Sequence, residues 1–526
     1  MNAPTVSQHL IMREVTTPSL TPALEDFIER HLEASPPVSA GVRLAAAMAL
    51  RRIGLPHPGS EDYSFIRVGD LMSLLAQVPT RSALAATAAT ASETTASDAA
   101  SPEPISRKLP SAQELAPWIS PAAEGNRVVL IDGVFVPELS QVGEDYFVSP
   151  LEDSAPPDSP IPGMHLRFQG LHASFVNRIE NMLEEENDAP AALAALFAAQ
   201  PLLIRVPAKR LAAGPLQILH LTTGAHRSDA ANRNDSFVII HAGAQSESRI
   251  QVRHVRLSVS QDEATPADTL ASTGVGGGRK GIATPVLENI HTLAVLEDGA
   301  SLRFLELGAD SADAAQDMHL RKLTVRLERD ARLVAVSAHT GSRLTRTAFG
   351  IDLAGEGADA ELNGAAVLSG ARQGHQHVLL RHLVPHGTSR QLFKTVAAEQ
   401  SRASVDGTII VALDAQQTNA GQRIHNLMLS DEARADSKPR LMIHADDVKC
   451  SHGATAGKLD PAQQFYLESR GLPPDQARSL LTVAFVAEAL DKAGNPGDPF
   501  RDALDHALLD GLRARLPGVS PGVPHA

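Results

Sequence analysis

The feature that most constrains this chain is a loose echo through its middle. Glu297-Asp298-Gly299-Ala300-Ser301-Leu302 is answered by Glu328-Arg329-Asp330-Ala331-Arg332-Leu333 and by Gly355-Glu356-Gly357-Ala358-Asp359-Ala360. The copies lie about thirty residues apart, a period that signals stacked units of one supersecondary kind. Short β-rich runs surround them: Leu202–Val206, Leu216–Leu221, Phe237–His241, Ile250–Val259, Thr292–Leu296, Leu302–Leu307, Leu323–Leu327 and Leu333–Ser337. Several alternate apolar and polar, Leu323, Val325 and Leu327 most clearly, as a strand with one buried face does. A parallel β-helix needs small turn residues at each corner and a strand after each. A β-sandwich also yields frequent short strands. The pattern alone leaves both open.

The two ends read differently. Thr21-Pro22 starts a helix, with Thr as cap and Pro in the first turn; Leu24, Phe27, Ile28 and Leu32 share one face. Pro36-Pro37 ends it. An alanine-rich helix follows over 42–53, stopped by Gly54-Leu55-Pro56. Residues 81–105 are Ala, Thr and Ser with a few acids and no apolar period, which reads as a flexible low-complexity insertion. Asp132-Gly133 between Val128–Ile131 and Val134–Val136 predicts a hairpin. Asn177–Gln200 reads as helix and loop. Near the C-terminus, Asp460-Pro461 caps a helix that Gly471 closes. Pro474-Asp475 starts another, with Ala477, Leu480, Leu481, Ala484 and Phe485 as its apolar stripe and Glu488 on the same face. Asp498-Pro499 starts a last one, with Phe500, Leu504, Leu508 and Leu512 on one side. The resulting division is an N-terminal helical domain (1–80), the insertion (81–105), a mixed lead-in (106–200), a β core (201–456) and a C-terminal helical domain (457–526).

Composition narrows function. A net charge of -14 disfavours a nucleic-acid partner. A single cysteine excludes an internal disulfide framework and fits a reducing cytosol, so a cytoplasmic location is expected. The opening MNAPTVSQHLIMREVTTP lacks the charged and apolar regions of a secretory leader, and no run is long and apolar enough to suggest a membrane span. With aromatics at 3%, alanine and aliphatic residues must fill the core. No His-Glu-x-x-His or Walker motif occurs. The glycines of Gly274–Lys280 superficially resemble a phosphate cradle. They lack the Lys-Ser/Thr pair and the strand-to-helix context, so residues 261–281 read as a surface loop. Histidines gather at 375, 377, 382, 386, 425 and 444. On a strand His375 and His377 would share a face, which leaves open a His-rich metalloenzyme acting alone beside the ordinary reading of hydrogen-bonded core groups.

The stretch Leu441–Gly471 holds Cys450 with His452 two places on. On a strand both project to one face. Thiolate and imidazole suit zinc, iron or iron–sulfur chemistry, yet two ligands do not close a tetrahedral site. Asp446-Asp447-Val448-Lys449-Cys450-Ser451-His452-Gly453-Ala454-Thr455, Leu459-Asp460, Phe465-Tyr466-Leu467 and Ser469-Arg470-Gly471 resemble the C-terminal core of the SufB/SufD family of iron–sulfur assembly proteins. Thr418–Leu427, Leu429-Ser430, Ala433 and Lys438-Pro439 extend the resemblance, which is close over about 407–485. Upstream, Gly54-Leu55-Pro56 and Glu61–Phe65 resemble a SufD N-terminal signature, with Tyr63 and Phe65 replacing its usual aromatics. Ser-His-Gly-Ala-Thr after the cysteine, no Cys-x-x-Cys and no Glu-rich run there make the chain more similar to SufD than to SufB.

The resemblance implies a mainly β fold, a right-handed parallel β-helix core flanked by N- and C-terminal α-helical domains. It implies a non-enzymatic scaffold whose β core meets a SufB-like subunit at its C-terminal end, and whose C-terminal helical domain docks a SufC-like ATPase. His452 and Cys450 would face a transient cluster or iron shared with the partner, with no tightly bound cofactor in the chain alone. Tyr466, Glu468 and Arg470 would be partner surface. A homodimer of the isolated chain is compatible with this arrangement.

Overall fold

The computed structural model describes residues 20–35, 37–75, 109–151, 173–223, 233–257, 285–308, 316–494, 497 and 501–502. The expected insertion at 81–105, the loop at 261–281 and the last helix's start at Asp498-Pro499 with its stripe of Phe500, Leu504, Leu508 and Leu512 lie outside them.

In chain order the strands are β1 (Arg127–Ile131), β2 (Val134–Phe135), β3 (Phe147–Pro150), β4 (Leu202–Val206), β5 (Leu216–Thr222), β6 (Arg233–Ala242) and β7 (Glu247–Arg256). Next come β8 (Leu287–Leu296), β9 (Ser301–Gly308), β10 (Met318–Leu327), β11 (Arg332–His339), β12 (Leu344–Leu353) and β13 (Asp359–Leu368). The series ends with β14 (Gln373–His382), β15 (Thr388–Ala397), β16 (Arg402–Val411), β17 (Asn419–Met428), β18 (Arg434–Ile443) and β19 (Lys449–Gly457). From β4 onward successive strands alternate between two sheets, and each pairs in parallel with the strands two places away. The first sheet runs β19-β17-β15-β13-β11-β9-β7-β5-β1-β2, the second β18-β16-β14-β12-β10-β8-β6-β4-β3. This is a parallel β-solenoid, and it decides against the antiparallel sandwich. The strands are longer than their apolar runs suggested, because polar residues at the strand ends also pair.

The echo marks one corner of the coil. Gly299, Asp330 and Gly357 all have positive φ (68°, 55° and 75°), and Gln245, His386 and Gln417 do the same in other turns. Backbone bonds then link corner to corner: Gln245 N to Asp298 O, Gly299 N to Arg329 O, Asp330 N to Glu356 O. The expected hairpin also forms, with Ile131 opposite Val134 and positive φ at both Asp132 and Gly133. A Cβ on Gly133 would lie 2.6 Å from Asp235 O, so glycine is required there twice over.

Inside the coil, Ile218, Val252, Phe304, Ala335 and Leu362 of the first sheet meet Ala294, Val325, Ile351 and Leu380 of the second. The outer face of the second sheet is covered by α1 (Pro22–Glu33), α2 (Pro37–Ile53), α3 (Val68–Leu75), α4 (Ala173–Glu184) and α5 (Ala189–Phe197). Ala45, Ala46 and Ala49 of α2 are fully buried with Ala192 and Ala195 of α5, so small side chains let these helices approach closely. Pro37 belongs to the second helix instead of ending the first, since proline is well placed in a first turn. Thr21 caps α1 as expected, accepting from Leu24 N at 3.3 Å.

The outer face of the first sheet carries α6 (Pro461–Ser469) and α7 (Pro474–Leu490) at its far end. Asp460 caps α6 through Ala462 N at 2.9 Å, and Gly471 takes φ 92° after it. The expected stripe of α7 is rotated. Ala484 is exposed and Leu480 and Leu481 half-buried, whereas Ala477, Val486, Ala489 and Leu490 are buried. Docking against Leu305, Val336, Val367 and Val396 of the sheet selects that face.

The helical layer is fastened to the second sheet by buried charge. Asp188 accepts from Tyr63 Oη at 2.7 Å and from Arg346 Nη1 at 2.6 Å, with the guanidinium 4.7 Å from the Tyr63 ring centre. Burial opposes ionisation of Asp188, but Arg346 more than offsets it and holds the carboxyl well below its usual range. Replacing Arg346 by Met leaves that carboxylate buried without its cation, so we expect a loss of about 3–5 kcal/mol. Urea denaturation at pH 7, followed by far-UV circular dichroism, measures it.

Candidate functional site at the open end of the coil

The two ends of the solenoid are built differently. One is closed by β2 and β3, of 2 and 4 residues, both joined antiparallel to their neighbours. The other ends in β18 and β19, of 10 and 9 residues, each paired on one edge only. A long unpaired edge offers a row of backbone donors and acceptors to another strand, and proteins ordinarily shorten or cover it. Pro439 within β18 fits an edge strand, where a missing N–H is tolerated.

Cys450 and His452 both lie on β19, as their spacing predicted. In register they continue the column of Ala420 and Gln422 on β17, whose side chains face the coil interior. Cys450 is half-buried and packs against the interior apolar cluster beside Leu441 and Val448, so burial pushes its thiol pKa up. His452 is exposed at the mouth. Beneath it Gln422 is buried and donates from Nε2 to Gln391 Oε1 at 2.7 Å. The interior column thus changes from Phe304, Ala335 and Leu362 to Gln391, Gln422 and His452 as it nears the open end. Across the mouth, Asn426 Nδ2 donates to Ser437 Oγ on β18 at 2.8 Å. Met442 and Ile443 of the terminal strand β18 are exposed, as is Leu413 in the turn before β17. Glu61 of the N-terminal layer reaches Lys438 and Arg440 of β18 at 2.8 and 2.5 Å, tying that layer to the terminal turn. Asp447 joins the corner ladder through its backbone carbonyl, which accepts from Gln417 N at 2.6 Å.

Tyr466, Glu468 and Arg470 lie on and just after α6. Tyr466 and Arg470 are exposed, with the guanidinium 4.7 Å from the ring centre, while Glu468 is half-buried and accepts from Gln464 Nε2 at 2.8 Å. Phe465 was not singled out from the sequence, yet at 71% it is the most exposed large apolar side chain of the described residues. Its place beside Tyr466 in the Phe465-Tyr466-Leu467 motif was the available signal.

The histidines fall elsewhere. His375 and His377 do share a face of β14, the outer one. His375 is buried, with Nδ1 2.7 Å from Ser404 Oγ, and His382 is buried, with Nε2 2.8 Å from Ser389 Oγ. Sequence reading missed a further group inside the coil. Glu288 lies 3.0 Å from His319, 3.3 Å from Arg321 and 3.4 Å from His254, which also meets Glu306 at 3.1 Å. The His220 and His254 rings stack at 5.1 Å in register. A Cβ on Gly308 would lie 2.0 Å from Arg321 Nη1, so this glycine makes room for the guanidinium. Histidines recurring at equal distance from successive corners were the visible trace. Among the described residues, no three His, Cys, Asp or Glu side chains are arranged to hold a metal ion.

Residues 269–485 match the family described as SUF system FeS cluster assembly, SufBD core domain. Over these residues the chain carries a SufB/SufD-type core. An iron–sulfur cluster assembly SufBD family protein of Synechocystis is 26% identical over 86% of each chain. The iron–sulfur cluster assembly protein SufD of Escherichia coli is 27% identical over 56% of this chain and 69% of its own length. SufD of Bacillus subtilis is 42% identical over 78 residues, 15% of this chain and 18% of its own. No helix among the described residues is long and apolar enough to cross a membrane.

Burial holds the imidazoles of His220, His375 and His377 down to about 3 and those of His291 and His382 to about 4. They stay neutral in the folded chain, whereas in the unfolded chain they protonate below about 6.5. Between those values the unfolded state binds more protons, so stability falls as pH falls. Unfolding free energies from urea titrations at pH 6.5, 5.5 and 4.5 should fall by more than one proton's worth, about 1.4 kcal/mol per pH unit. His382→Gln should flatten the slope.

Proposed function

We propose that this chain is a SufD-like scaffold subunit of an iron–sulfur cluster assembly complex, and not itself a catalyst. The observation that carries the reading is the asymmetry of the coil: short antiparallel strands close one end, and two long unpaired parallel edges leave the other open. A SufB-like subunit with its own terminal strands extends both sheets across that junction. Main-chain pairing on two edges supplies affinity, and exposed Leu413, Met442 and Ile443 add apolar contact. The same edges permit a homodimer when the partner is missing.

At the junction His452 offers its imidazole to iron or to a nascent cluster, the cargo of the complex, which is held transiently by groups from both subunits. Cys450, two residues away on the same face, is the second candidate ligand. The chain supplies part of a coordination sphere, so no tightly held cofactor is expected in it alone. The C-terminal helices offer Tyr466, Glu468 and Arg470, with Phe465 beside them, as the surface for a SufC-like ATPase, which would supply the energy. A cytoplasmic setting accords with one free thiol. The rival reading of a His-rich enzyme acting alone loses support from His375 and His382, both buried on serine hydroxyls.

The test is coexpression with SufB- and SufC-like partners, using His452→Ala in a complex purified without oxygen. The mutant complex should assemble at wild-type stoichiometry yet carry several-fold less cluster, read by iron and sulfide content and visible absorbance. Wild-type cluster yield would remove His452 from the site. Failure of all three chains to copurify would remove the scaffold reading itself.

A further inference from the structure

On the outer face of the first sheet, between the β4–β5 connection and the end of α7, part of the coil is uncovered. A groove of about 420 Å³ lies there, lined by Glu247, Arg249, Arg303, Arg332, Ser301 and Val334 among others. Arg249 and Arg303 are register neighbours on β7 and β9, about 4.8 Å apart along the sheet. Arg332 on β11 is register neighbour to Ser301, diagonal to Arg303. Like charges side by side on a sheet face are unfavourable unless something neutralises them.

Elsewhere on this face the charges are matched. Glu361 pairs with Lys492 at 3.3 Å, Asp359 with Arg390 at 2.9 Å, and Glu488 with Lys394. That leaves the nearby acids engaged: Asp359 reaches Arg332 only at 4.0 Å. Each inner arginine is anchored instead by a backbone carbonyl from opposite walls. Arg249 Nη2 donates to Ala213 O at 3.2 Å and Arg303 Nη1 to Ala493 O at 3.4 Å. A guanidinium held by one N–H keeps its remaining donors in a fixed fork, the geometry that grips phosphoryl and carboxylate oxygens in pairs. Against these three cations the lining supplies one acid, Glu247.

We propose that this groove is a binding site for a small phosphorylated molecule, its phosphoryl oxygens bridging Arg249 and Arg303 with Arg332 at the rim. A residual charge of about two suits a phosphoryl dianion, and the volume exceeds a bare phosphate and admits the rest of a small ester. The site stands apart from the open end and does not depend on the assembly reading.

Isothermal titration calorimetry of the full chain with inorganic pyrophosphate tests it, with citrate as the carboxylate arm. Saturable binding to one site is expected, weakened about tenfold or more by Arg303→Met, the scale of losing a charge-assisted pair. Glu247→Gln should tighten it, and Arg329→Met, outside the groove, should leave it unchanged. Melting curves without ligand check that the variants fold; if Arg303→Met does not, Glu247→Gln decides. Binding that never saturates, or is indifferent to both groove variants, overturns the site. Citrate binding as tightly as pyrophosphate overturns the phosphoryl assignment.

Discussion

A parallel coil cannot hide both of its ends. Every interior strand of such a solenoid satisfies its neighbours' backbone groups on two edges, but the last turn has nothing beyond it. This chain resolves the problem at one end by reversing direction, with β2 and β3 short and antiparallel. At the other end it leaves β18 and β19 at nearly full length. The corner ladder keeps both terminal strands in register to the final turn, where Gln417 N still bonds Asp447 O. The open end is therefore an ordered template of donors and acceptors, and whatever projects inward there is presented to a second molecule in a fixed pattern.

The cross-section of the coil explains why polar groups arrive at that mouth. Residues nearer the glycine-rich corner fill the interior with aliphatics, while those toward the opposite corner include His220, His254, Glu288, Glu306, His319 and Arg321. Buried charges of this kind persist only when mutually paired, and the distances within the group show that they are. Toward the last turns the column that began with Phe304, Ala335 and Leu362 turns polar as well, with Gln391 and Gln422 bonded to each other. The interior is thus already polar before His452 is reached, and an imidazole there continues a column instead of interrupting an apolar one.

What the sequence discloses is what local geometry controls. Asp132-Gly133, the Gly299–Asp330–Gly357 echo, the Thr21 and Asp460 caps and the shared face of Cys450 and His452 all depend on a few adjacent residues. Each appears where the residues place it. The choice between coil and sandwich did not follow from the run pattern, because strand length and apolar content are alike in both; only the parallel pairing separates them. Two further features were hidden for the same reason. The buried face of α7 is set by the sheet it meets, so Ala484 is exposed although its neighbours made a plausible stripe. The neutral, buried state of His375 and His377 depends on a helical layer contributed by residues some two hundred positions earlier. A spacing of two placed them on one face but not under that layer.

The same reasoning separates the two residues of the Cys-x-His pair. They share a strand, a face and a column direction, yet their surroundings differ by one step along β19. Cys450 lies over Ala420 and against the aliphatic interior, and burial favours its protonated form. A metal ion at that sulfur would have to displace a proton held more firmly than usual. His452 stands over an amide at the solvent-filled mouth, where an imidazole need not be desolvated to present a lone pair. The open end alone therefore leaves the imidazole more accessible to a second molecule than the thiol. Engagement of the sulfur requires a neighbour that brings positive charge or metal close enough to offset the apolar wall behind it.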